Sequence, residues 1–312
     1  MFELFKRREF GDYISDTFQF FRQNGKHFFK TYFTISGGLL MLLVVVSYFL
    51  FKVYLDFFLK IDNTAKNADY LKGYLFDNLP LIIIAAILVF LFMILLSMFN
   101  YAIPVIYLDL YDKHKGANFD TKEVLSQFKK SFRKILVFFL GIVFLVTPIL
   151  MVLFVLLVLL CFILIGIPLL LMAVPASFSW ITLSFYEYMN TDKTFFDSLG
   201  EGFRHVKSQF FPIVGSCMIM YIMIQVSMTV FSFIPYIFGV TSMVTTLQNP
   251  TAENDPLSTM RIMMLVVMVM TMLMSYILNN LLIINQGLIY YSRREYNENI
   301  SSTDSIDLIG SE

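Results

Sequence analysis

Residues Ile135–Tyr186 read ILVFFLGIVFLVTPILMVLFVLLVLLCFILIGIPLLLMAVPASFSWITLSFY, 52 residues without one Asp, Glu, Lys, Arg or His. A bilayer-spanning helix takes about 20 apolar residues. The run is therefore too long for one crossing and suits two, joined by a tight turn near Gly166 and Pro168. Four further uncharged stretches flank it: Phe33–Phe51, Leu79–Leu108, Ser208–Ala252 and Ile262–Ser292. They place spans from Phe33 to about Leu55, over Leu79–Leu108, from about Pro212 to Phe238, and from about Met260 to Tyr290. The expected fold is all-α, a polytopic membrane protein with six transmembrane helices.

Composition points the same way. Of 312 residues, 58% are hydrophobic and 15% charged, against roughly 45–50% and about 25% in soluble domains; mean hydropathy is +0.72. Once the spans are drawn, no stretch is left for a separate soluble enzyme domain. The opening MFELFKRREFGDYISD lacks the short apolar core and cleavage site of a secretory signal, so the first span is expected to act as an uncleaved insertion signal. Cys161 and Cys217 both fall in apolar stretches and read as buried thiols.

Sidedness follows from Lys and Arg alone. The side holding both termini carries 18 of them, and the opposite side carries five: Lys52, Lys60, Lys66, Lys72 and Arg261. Both termini are expected to be cytoplasmic, in a bacterial inner membrane. The external segments Leu59–Asn78 and Gly239–Thr259 are short, and the second reads as an irregular loop around Asn249-Pro250 and Asp255-Pro256.

A threefold repetition organises the chain. Phe21–Phe29 reads FRQNGKHFF, Phe128–Leu136 reads FKKSFRKIL and Phe203–Phe211 reads FRHVKSQFF. Each has an aromatic followed by a cation, then two large apolar residues seven and eight positions on, and each leads into an odd-numbered span. Upstream periodicity is helical. The apolar stripe is Phe10, Ile14, Phe18, Phe21 and Phe28 in the first copy. In the second it is Val124, Leu125, Phe128, Phe132, Ile135, Leu136 and Phe139. In the third it is Phe196, Leu199, Phe203, Val206 and Phe210. Asp120 with Glu123 and Thr194 with Asp197 are N-cap pairs that would start the second and third helices.

An amphipathic helix with a basic polar face, placed before a span, belongs in the headgroup region. The repeat unit is thus an interfacial amphipathic helix plus two spans, in copies of about 10–112, 119–187 and 194–292, with 293–312 a flexible cytoplasmic tail. The candidate lipid-interface residues are Arg22, Lys26, Lys129, Lys130, Arg133, Lys134, Arg204 and Lys207. The even spans echo one another through Ala102-Ile103-Pro104 and Ala173-Val174-Pro175, and close on Leu110-Tyr111-Asp112, Phe185-Tyr186-Glu187 and Tyr290-Tyr291.

Intramembrane chemistry is usually carried by ionisable groups facing a pathway, and the span interiors contain none. Carboxylate-coupled transport and voltage sensing are thereby disfavoured. Neutral polar candidates for a route are Asn100, Gln225, Asn279 and Asn280, with Asn285 and Gln286 beyond them; interhelical hydrogen bonding is their simpler use. Pro104, Pro148, Pro175 and Pro235 are candidate kinks. His27, His114 and His205 lie outside the spans with no ligand spacing between them. His114 and Asp120 in HKGANFD read as a chance juxtaposition. Hydrolase, zinc-protease and nucleotide-binding motifs are absent. No cofactor and no nucleic-acid partner are expected, and no oligomer surface is marked.

FYEYMNTDKTFFDSLGEGFRHVKSQFF, residues Phe185–Phe211, has a span before and after it. It resembles the junction in bacterial six-span proteins that include the membrane domain associated with glycerophosphodiester phosphodiesterases. The resemblance covers the layout from Phe10 to Tyr291. It implies a fold and a membrane setting but no catalytic residue, because that chemistry belongs to a separate barrel domain. The function expected is a non-enzymatic, membrane-organising or accessory subunit, meeting lipids or a protein partner through its cytoplasmic amphipathic helices. A transporter or lipid flippase for an apolar or uncharged solute is the alternative.

Overall fold

The computed structural model describes residues 2–60, 79–248 and 256–300. All regular structure among them is helical: α1 (Phe10–Lys60), α2 (Leu79–Lys113), α3 (Thr121–Gly141), α4 (Thr147–Leu160), α5 (Gly166–Asn190), α6 (Phe195–Ser208), α7 (Phe210–Gln248) and α8 (Pro256–Glu298). Six segments are long and apolar enough to cross a bilayer: Phe10–Phe51, Leu79–Lys113, Thr121–Ile163, Gly166–Asn190, Phe210–Phe233 and Ile262–Glu298. The all-α polytopic fold expected from the uncharged runs is the fold observed.

The turn inside the long uncharged run falls where Gly166 was expected to allow it. A short 3-10 turn, Cys161–Ile163, leads to Leu164 at φ 63°. A Cβ on Gly166 would stand 2.4 Å from both the Cys161 nitrogen and the Leu157 oxygen, so only glycine fits there.

Three features depart from the sequence reading. α7 continues through Gly239 to Gln248 and α8 begins at Pro256, so most of the expected irregular loop is helix. An isolated glycine lowers helix stability by about 1 kcal/mol and does not by itself stop a helix. Residues 249–255, and 61–78 of the other external segment, lie outside the described residues. α8 also runs six residues beyond Ser292, and Asn299 at φ 49° ends it; residues 301–312 of the tail lie outside the described residues. Finally, the first two amphipathic segments are not set off from their spans, as described below.

The chain forms two compact units: Met1–Ile35, Met98–Met223 and Leu278–Glu312 make one, and Ser36–Ser97 with Ile224–Ile277 make the other. The core of the first unit is built from the even-numbered spans. Ala102–Leu108 of α2, Thr182–Tyr188 of α5 and Leu282–Ser292 of α8 are buried at every position, as helices at the centre of a bundle are. They meet at Gly287, where a Cβ would lie 2.4 Å from Leu108 Cδ1 and 2.5 Å from the Tyr186 hydroxyl. Tyr186 stacks on Tyr290 at 5.5 Å and donates to the Ile283 carbonyl at 3.0 Å. The tyrosines that close the even spans are therefore central packing pieces.

In the second unit the helices are joined by small polar contacts, Ser47 Oγ with Met272 Sδ at 3.0 Å and Ser232 with Thr271 at 3.1 Å. Met41, Val45, Leu81, Leu88, Val226 and Phe233 stand exposed along it. On a chain with spans of this length, such a surface suits hydrocarbon.

Candidate functional site

Proline placement distinguishes the three repeated junctions. No proline precedes Pro80, and the first junction runs unbroken from Phe10 into its span within α1. In the second, Pro148 lacks the N–H that would bond four residues back. The helix absorbs this with a π-turn over Ile142–Val146, where the Thr147 N–H reaches the Ile142 carbonyl. In the third, Pro212 would leave the Ser208 carbonyl without its partner, and the chain breaks at Gln209 (φ −137°, ψ 56°). Only the third amphipathic segment is therefore a helix in its own right, α6.

α6 starts on the expected cap: Thr194 Oγ1 accepts from the Asp197 N–H at 3.3 Å and donates to its carboxylate at 2.6 Å. The expected cap of α3 is present too, with Glu123 Oε1 accepting from the Asp120 N–H at 3.1 Å. His114, beside it, contacts Glu123 at 3.2 Å and not Asp120.

The inward face of α6 is Ser198, Gly202, His205 and Val206. A Cβ on Gly202 would stand 2.1 Å from Ser184 Oγ and 2.7 Å from the Ser184 nitrogen, so backbone meets backbone where α6 crosses α5. Trp180, the only tryptophan, donates through Nε1 to the Leu199 carbonyl at 2.8 Å. Charge closes the junction. Lys193 bridges Glu187 at 2.7 Å and Glu201 at 3.2 Å, with His205 3.8 Å from Glu187. Partial burial works against the Lys193 ammonium, but these two carboxylates hold its pKa above the ordinary 10.5.

The outward face of α6 carries the aromatics. Phe196 is 69% and Phe203 57% exposed, and Phe211 just past the break is 72% exposed. Arg204 and Lys207 lie exposed among them, Arg204 pairing with Glu201 at 2.5 Å. The expected stripe of Phe196, Leu199, Phe203, Val206 and Phe210 is thus divided: Val206 is buried, while Phe196 and Phe203 are exposed. The glycine face makes the closest approach to α5.

The first stripe is divided in the same way, with Phe28 buried. Phe10 and Phe18 are exposed, while Tyr13, Asp16, Thr17 and Phe20 are buried. Buried Asp16 has Arg8 as its partner, a residue the sequence marks only as a sidedness charge. Its side chain is buried, pairs with Asp16 at 2.9 Å, and donates to the Leu4 and Glu3 carbonyls at 2.7 and 2.6 Å. Burial lowers its pKa, and the hydrogen bond and charge of Asp16 oppose that. No local spacing signals such a residue; a basic cluster close to an amphipathic acid is the only hint. In the second copy Val124, Phe128 and Ile135 are buried as expected, while Phe132 is 39% exposed.

Of the eight candidate lipid-interface cations, Arg22, Lys26, Lys129, Lys130, Arg133, Arg204 and Lys207 are exposed. Lys134 is the exception. It donates to the Thr191 carbonyl at 2.8 Å and lies over the Tyr188 ring, tying α3 to the α5–α6 connection.

The intramembrane polar candidates do not gather at one place. Asn100 is buried and accepts from the Tyr32 hydroxyl at 2.8 Å. Asn280 is fully buried, whereas Gln225 is exposed. Asn285 donates to the Tyr13 carbonyl at 2.9 Å and Thr17 Oγ1 at 3.1 Å, which is interhelical bonding of the simpler kind. Of the four, Asn279 lines an apolar cleft of about 570 Å³ between α5, α7 and α8. Pro175, Cys217 and Leu282 are its buried floor; Leu171, Val174 and Ile222 are exposed at its mouth. Among the described residues no cluster of three or more His, Cys, Asp or Glu is placed to hold a metal ion.

No family model, no curated protein and no solved structure matches this chain.

Proposed function

We propose that this chain is a non-enzymatic integral protein of a bacterial cytoplasmic membrane, with both termini cytoplasmic. It serves as a membrane-organising or accessory subunit and contacts lipid through its amphipathic segments, α6 above all. One observation carries the reading: α6 is clamped to α5 by a small, polar face while it presents Phe196, Phe203, Arg204 and Lys207 outward. Aromatic rings beside cations, on a short helix following a span, suit a headgroup layer. Each exposed cation near an anionic leaflet adds about 1 kcal/mol of attraction. The resemblance to bacterial six-span membrane proteins agrees with this setting.

The transport alternative asks for a polar route through Asn100 and Asn280. Asn100 is bonded to Tyr32 and neither residue lines the cleft, so the accessory reading is preferred.

The test places a reporter on the outward face: Phe196→Trp in a Trp180→Phe background, reconstituted as the full chain in phospholipid bilayers. Shallow-brominated lipids are expected to quench its fluorescence more than deep-brominated ones. Quenching by aqueous acrylamide alone would rule out lipid contact for α6.

A further inference from the structure

We infer that the cleft between α5, α7 and α8 holds one acyl chain of an anionic phospholipid whose phosphate-bearing headgroup rests on Arg204 and Lys207. The inference rests on the interfacial reading of α6 and adds a defined lipid site to it.

Four observations converge on this occupant. The cleft mouth, Leu171, Val174 and Ile222, lies on segments long and apolar enough to span a bilayer, so the medium at its opening is hydrocarbon. Its volume of about 570 Å³ falls within the roughly 300–1,000 Å³ of ligand pockets. Its depth matches a lipid tail. Cys217 and Ile222 lie seven and twelve residues beyond Phe210, about 10 and 18 Å along α7, and one leaflet of hydrocarbon is about 15 Å deep. Phe211, four residues beyond Lys207, shares one face of α7 with Met218 and Ile222 of the cleft, and the Phe10 ring lies against Gly215 between them.

Charge selects the headgroup. Lys207 is exposed, and no ion pair to it is formed among the described residues. Arg204 shares its guanidinium with Glu201 but stays 69% exposed. A phosphodiester with no balancing choline or ethanolamine fits such a rim better than a zwitterionic head. Apart from the Asn279 amide and the Tyr221 ring with its hydroxyl, the walls are apolar and do not ask for a polar solute.

The experiment is native mass spectrometry of the full chain released from bilayers of equal parts palmitoyl-oleoyl phosphatidylglycerol and phosphatidylcholine. The wild type is expected to retain one tightly held phosphatidylglycerol. Val174→Phe, at the exposed mouth where folding tolerates bulk, is expected to abolish that retention; Leu171→Trp repeats the closure from a second position. Arg204→Gln and Lys207→Gln are each expected to cut the preference for phosphatidylglycerol by about fivefold while a chain is still retained. Unchanged retention in both closed-mouth variants, with thermal stability intact, overturns the cleft as the site, and the α6 quenching result then stands or falls on its own. Equal retention of both lipids by the wild type overturns the headgroup assignment. Retention of a second copy of the chain in place of lipid overturns the occupant.

Discussion

The first and third junctions, FRQNGKHFF and FRHVKSQFF, share their Phe-Arg start and Phe-Phe end, yet one disappears into a 51-residue helix and the other becomes a separate helix. Two residues outside the shared string account for this. Lys30 follows the first copy where Pro212 follows the third, and a proline removes the bond that would carry the helix across. The anchors differ as well. A buried ion pair, Arg8 with Asp16, holds the first junction down, whereas a glycine contact, Gly202 on Ser184, holds the third. The shared residues thus do not decide whether the helix continues into the span; the residues that flank them do.

Each part of this contrast can be broken. The largest effect is expected from Arg8→Met, which leaves Asp16 buried with only the half-exposed Lys6 as partner. Stability should fall by about 3 kcal/mol in denaturant titrations of the detergent-solubilised protein, and adding Asp16→Leu should restore much of it. Lys30→Pro transplants the third junction's break into the first. It should cost about 3 kcal/mol and open fast amide exchange around His27. The reverse change, Pro212→Lys, should slow exchange at Gln209. A smaller loss, about 2 kcal/mol, is expected from Gly202→Val, with Trp180 emission shifting as its bond to Leu199 is strained.

The smallest expected effect is on pH. Because Lys193 has a raised pKa in the folded chain, its pairing contributes stability that is fully present below about pH 10.5. That contribution is lost as pH rises through the folded value. Melting temperatures measured at pH 8 and at pH 11 should differ more for the wild type than for Lys193→Gln.

The span layout was readable because every uncharged run is bounded by charged residues, and Gly166 marked the one turn inside the longest run. Both helix caps were readable, being local and chemical. Which residues of each apolar stripe are buried was not. Small residues such as Gly202 take the closest helix contact, and this leaves Phe196, Phe203 and Phe10 exposed. Arg8 escaped because its side-chain partners, Asp16 and the Leu4 and Glu3 carbonyls, lie close in sequence but follow no spacing pattern, while its backbone N–H donates to the distant Ser292 hydroxyl at 3.0 Å. The polar candidates Asn100, Gln225, Asn279 and Asn280 share a residue class but sit in four different surroundings, which composition does not distinguish.

The π-turn at Ile142–Val146 can be read as one surplus residue lodged in a helix. Each residue of an α-helix advances the side chains by about 100°, so absorbing one extra there turns everything downstream relative to everything upstream. α3 buries Val124, Phe128, Ile135 and Phe138, and α4 buries none of its residues. Deleting a single residue from the turn would twist α4 by about 100° about its own axis, turning a different face of it toward its neighbours without altering its composition.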